Sequence, residues 1–141
     1  MPNRTSLQHF FKDEDGAVAV EFVLIAPLLI ALVFGILSFG YLFGVSHAVQ
    51  QLAVETARVS VQGLTQAERL ALAHANLDRA TAQYPLLRPA HVTRDVQISA
   101  GNFGDVTVTI GYAIDGSMLD LANALFNLDI ATLEGRAYLA Y

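Results

Sequence analysis

The stretch GAVAVEFVLIAPLLIALVFGILSFGYLFGV, from Gly16 to Val45, holds one charged residue, Glu21, and none from Phe22 onward. At 1.5 Å of rise per residue the uncharged part alone makes a helix of roughly 36 Å, against a hydrocarbon core of roughly 30 Å. A membrane span over about 22–45 is therefore expected. A carboxylate on such a segment costs about 2.5 to 3.5 kcal/mol at mid-membrane and less near an interface, so Glu21 calls for a partner or a path to water. One answer is purely local: an anion in the headgroup layer at a helix N-terminus is favoured by the macrodipole.

Working outward, the N-terminal side carries Arg4 and Lys12, and the far side of the run has Arg58 alone close by. That asymmetry places the N-terminus in the cytoplasm and the remainder outside. A cleavable secretory signal fits poorly, because its apolar region runs about 7 to 15 residues and is preceded by bases. Here Asp13, Glu14 and Asp15 stand immediately before Gly16.

The charged segment Lys12-Asp-Glu-Asp15, then Gly16, then small and aliphatic residues leading to Glu21 and Phe22, resembles a type IV prepilin leader junction. The Glu-Phe pair, Pro27, the Phe-Gly pairs and Glu55-Thr-Ala-Arg58 are similar to the TadE-like minor pseudopilins of the tight-adherence (Flp) pilus system. The resemblance covers about Asp13 to Val61. It implies a leader over 1–16, cleavage between Gly16 and Ala17 by a prepilin peptidase, and recognition and assembly roles for Glu21 and Phe22. Other implied partners are the major Flp-type pilin, TadE- or TadF-like pseudopilins, the inner-membrane assembly platform and the lipid bilayer. Major subunits of that system are little more than the hydrophobic helix, so a further domain implies a minor, non-enzymatic subunit that assists or initiates pilus assembly from the bacterial inner membrane. A second reading is an unprocessed single-pass protein with an extracytoplasmic domain that binds a ligand or an envelope component.

Cleavage would give Ala17 a free amine, and two unit charges about 4 Å apart at an effective dielectric near 20 attract by about 4 kcal/mol. That magnitude offsets the cost of Glu21 if the amine of one subunit meets the carboxylate of the next, before desolvation of the amine is counted. Pairing with a different pilin or with the platform satisfies the same requirement. Pro27 predicts a kink or loosened backbone near residues 23 to 27. Gly40, Gly44 and Ala48 place small residues on one face, where another helix could approach closely.

Beyond Val45 the pattern becomes amphipathic, with Val49, Leu52, Ala53 and Thr56 on one face, so the helix continues out of the membrane over 17–62. Gly63 stops it, and Thr65 with Glu68 forms a capping box for a second helix whose stripe is Leu70, Ala73 and Leu77. Period-two alternation marks strands at Val92–Ala100, Val106–Ile114 and about Ile130–Tyr141, the first two joined at Asn102–Asp105 as a hairpin. Ser117 and Asp120 cap a short helical segment between the last two strands. The fold class is α+β: a long N-terminal transmembrane helix, then over 63–141 a small domain of one helix packed on a three-stranded antiparallel sheet. An isolated domain of that size is near the lower limit of independent stability, and the emerging helix or a partner could supply the missing burial.

The chain has 141 residues, a net charge of −5 and no cysteine. No basic cluster offers an electrostatic footprint for nucleic acid, and thiolate chemistry and disulfides are excluded. His9, His47, His74 and His91 lie on separate segments without metal-ligand spacing, so no catalytic residue, cofactor or metal site is expected. Gly101-Asn-Phe-Gly104 lacks the lysine and following helix of a phosphate loop and reads as a turn.

Overall fold

A computed structural model describes residues 14–99 and 104–140. The leader residues up to Asp13, the hairpin tip at 100–103 and Tyr141 lie outside the described residues. Helix α1 spans Glu14–Ser60 and continues through Pro27 without ending there. Helix α2 spans Gln66–Thr81, strand β1 Val92–Ile98, β2 Val106–Ala113, helix α3 Met118–Phe126 and β3 Thr132–Leu139, with a 3-10 turn at Pro89–His91 leading into β1. The chain divides into two compact units, one up to Leu37 and one from Ser38 to Tyr141.

In the first unit most of the apolar side chains described on α1 are exposed. Val18, Val20, Phe22, Val23, Leu24, Leu28 and Ile30 are all exposed. Long apolar side chains in every direction around a helix are stable in hydrocarbon and costly in water. With one helix long and apolar enough to cross a bilayer, the chain fits a single-pass membrane protein.

The second unit is an antiparallel sheet in the order β1-β2-β3 with helices packed on it. Central β2 alternates as expected: Val106, Val108, Ile110 and Tyr112 are buried, and the intervening Thr107 and Thr109 are half-buried. Register places Val92 and Leu133 beside Tyr112, Val96 and Ala137 beside Val108, and Ile98 and Leu139 beside Val106, which gathers one apolar face. The second half of α1 covers that face with Val45, Val49, Leu52, Ala53 and Ala57, joined by Leu77 and Ala80 of α2. The expected helix-on-sheet arrangement is present, and α1 contributes the greater share of its core.

Two local devices fix α2. Thr65 and Glu68 make the capping box reciprocally, Thr65 Oγ1 accepting from Glu68 N at 3.2 Å and Glu68 Oε2 accepting from Thr65 N at 3.2 Å. Gly63 lies against Arg69, and a Cβ there would come within 2.6 Å of the Arg69 amide nitrogen, so the link needs glycine. The expected stripe is corrected at one position. Leu70 is exposed, and the inward face is Ala73, Asn76, Leu77 and Ala80. Arg69 takes the inward angle one turn earlier, donating to the carbonyls of Gly63 at 2.9 Å and Gly104 at 2.8 Å, which turns its neighbour outward.

Strand β3 is shorter than its pattern suggested. It begins at Thr132, because Ala131 is spent in the loop, its carbonyl accepting from Ile114 N at 3.3 Å. Asn123 closes the α3–β3 connection by bonding both the amide and the carbonyl of Ile130, at 2.9 and 3.1 Å.

Candidate functional site

The residues singled out for assembly lie in the first turns of α1. Gly16 and Ala17 are the third and fourth residues of α1 as described, Glu14–Ser60. Ala17, Glu21 and Phe22 are exposed. The Glu21 carboxylate makes no ion pair or side-chain hydrogen bond among the described residues. The next charged residue along α1 is Glu55, so nothing on the same helix compensates Glu21.

The small residues higher on α1 are distributed differently. A Cβ on Gly40 would meet nothing within 4 Å, whereas one on Gly44 would lie 3.0 Å from Leu86 Cδ1 of the same chain. Ala48 is buried in the core of the folded unit. Of the three, Gly40 alone faces open space.

Glu55-Thr-Ala-Arg58 is where the helix is held to its own domain. Thr56 is fully buried, and its hydroxyl accepts from Asn76 Nδ2 at 3.1 Å, satisfying two buried polar groups at once. Ala57 joins the core. Glu55 accepts from the Tyr84 hydroxyl at 3.3 Å. Partial desolvation, followed by the negative charge of Glu55 and that hydrogen bond, raises the Tyr84 pKa above its ordinary value of 10.0. Arg58 is exposed beside a groove of about 290 Å³ that it shares with Arg136 and Tyr138 of β3.

Sequence reasoning passed over Gln50, which faces outward in the amphipathic pattern. Its amide grips the backbone of Arg136 from both sides, donating to the carbonyl at 2.9 Å and accepting from the N–H at 3.1 Å. Edge strand β3 thus has its free backbone groups paired at that point, where another strand could otherwise add. Beside it, Gly135 meets the backbone of Val49 and Gln50, and a Cβ would come within 2.7 Å of Gln50 N and Val49 C. A glycine inside an alternating strand signals close backbone approach, and that was the available clue.

Comparison with known proteins agrees with the N-terminal reading: residues 16–58 match the family model described as TadE-like protein. The resemblance is thereby shown for residues 16–58, which include Glu21, Phe22 and the Glu55–Arg58 stretch, and the family it points to is one of tight-adherence (Flp) pilus systems. No curated protein and no solved structure matches the chain.

Proposed function

Since residues 16–58 are TadE-like, we propose that the chain is a minor pseudopilin that assists or initiates assembly of an Flp-type pilus after cleavage by a prepilin peptidase between Gly16 and Ala17. One observation carries the reading: an exposed carboxylate, Glu21, stands without a described partner at the foot of a run that holds no further charge until Glu55. In hydrocarbon such a group is costly, and an amine on a neighbouring subunit would offset the cost by about 4 kcal/mol at 4 Å and an effective dielectric near 20. Register between subunits is then set by charge, and cohesion by the apolar side chains that surround α1.

The folded unit acts outside the cytoplasm, recognises other pseudopilins by its surface and performs no chemistry. Sequencing the N-terminus of protein extracted from membranes with an active prepilin peptidase tests this reading. An Ala17 start is expected, and a retained leader would refute processing.

A further inference from the structure

Helix α3 presents apolar side chains in two directions. Leu119 and Ala122 are buried, and with Phe126, Leu128 and Ile130 they close on Ser38, Phe39 and Leu42 of α1. On the opposite side Leu121 and Leu125, at i and i+4, are 54% and 64% exposed. No charged residue occurs from Leu121 to Leu128. Three nearby polar side chains are engaged within the fold: Ser117 Oγ accepts from Leu119 N, Asp120 accepts from Gly116 N, and Asn123 bonds Ile130. Phe39 and Phe43 of α1 are exposed as well.

The level at which α3 meets α1 identifies what covers this stripe. Counting from Phe22, about 20 helical residues fill a hydrocarbon core of about 30 Å, which brings its far edge to the vicinity of Tyr41. Ser38, Phe39 and Leu42, on which α3 is seated, straddle that edge. Apolar side chains held at this level, with acids only at their edges in Asp120 and Asp129, match the acyl–headgroup boundary.

We propose that α3 is a second membrane contact, its Leu121 and Leu125 side chains lying in the outer boundary of the bilayer that α1 crosses. The inference rests on the membrane-span reading of α1 and is independent of the pilus role. The stripe and its flanks carry no lysine or arginine, and the flanking charges are the acids Asp120 and Asp129, so lipid contact is apolar in origin and gains nothing from anionic lipid.

The chain has no cysteine, so one introduced cysteine reports its own position. The test places a spin label at Leu32→Cys, Leu125→Cys or Leu64→Cys in the full chain, one copy per phosphatidylcholine nanodisc, and compares collision with oxygen, which favours lipid, and with a water-soluble nickel chelate. Leu32 lies within the run and Leu64 is 92% exposed beyond it, providing lipid and water references. The expected result is oxygen-dominated collision at Leu125, with nickel accessibility at least about threefold below that at Leu64 in phosphatidylcholine, and no further protection from phosphatidylglycerol. Leu125 reading as water while Leu32 reads as lipid overturns the proposal and leaves the span intact. Leu32 reading as water overturns the span and the proposal together. Protection of Leu125 that appears only when several copies share a disc assigns the stripe to a protein neighbour and also overturns it.

Discussion

Replacing Gly135 by alanine adds one methyl group at the closest approach of helix and sheet. That carbon would lie 2.7 Å from Gln50 N and Val49 C and 2.8 Å from Gln50 Cα, where ordinary contact begins at 3.4 Å. All three are backbone atoms of a helix, so no side chain can rotate away, and α1 must retreat by about 0.7 Å or β3 must bend. Overpacking of this kind costs about 1 to 3 kcal/mol. The retreat also stretches the Gln50 bonds to Arg136 from 2.9 and 3.1 Å toward the limit of hydrogen bonding. Those bonds are exposed, so their loss adds about 1 kcal/mol in total. A small domain holds about 5 to 15 kcal/mol, and about 4 °C of melting temperature follows each kcal/mol, so a fall of about 10 °C is expected. The assay is the near-ultraviolet circular dichroism of the buried Tyr112 environment, followed with temperature on the full chain in detergent. Gly40→Ala is the control, because that site is open and helical, and alanine there should be neutral or stabilising by up to about 1 kcal/mol. If Gly135→Ala melts within about 2 °C of the parent, helix and sheet are not in the described contact.

Glu21→Ala should insert and be cleaved yet fail to support piliation at normal protein level; normal piliation would favour a carboxylate that merely sits in the headgroup layer. Gly16 replaced by a bulky residue should leave an inserted protein that keeps residues 1–16, visible by mass spectrometry. Asn76→Leu and Thr56→Val should each cost about 1 to 3 kcal/mol by stranding the other's buried polar group, and the double variant should cost less than their sum; strict additivity in a double-mutant cycle would show that the pair does not interact. Because the Tyr84 pKa is raised in the folded state, its contribution to stability is complete below pH 10.0 and declines as pH rises through the raised value. Thermal melts between about pH 9 and 11.5 should therefore fall more steeply for the parent than for Tyr84→Phe, and parallel profiles would remove the Glu55 interaction from the account.

Much of this protein was legible in one dimension because its signals are local. The absence of charge from Phe22 to Val45 marks a helix long and apolar enough to cross a bilayer, and the fold covers only its end, where Val45 enters the core. Val49, Leu52, Ala53 and Thr56 occupy one helical face by their spacing alone, and all four are buried. Thr65 and Glu68 specify a helix start through hydrogen bonds only three residues apart, and period two in β2 divides inside from outside. The isolated acid Glu21 and the TadE-like segment are likewise features of sequence.

What the tertiary structure decided is which partner covers each face, because periodicity fixes an angle around a helix and says nothing of what approaches at that angle. Small residues are the most ambiguous, since they admit lipid, a neighbouring helix or the chain's own domain. Only the fold shows that Gly44 accommodates Leu86 and that Ala48 packs in the core. The same limit explains Leu70, displaced outward by the hydrogen bonds of Arg69 to distant carbonyls, and Gly135, whose missing side chain makes room for a helix more than eighty residues earlier in the chain. It also explains why the folded unit reaches back to Ser38: α3 lies far along the chain, and only the closed sheet brings it onto the upper end of the uncharged run.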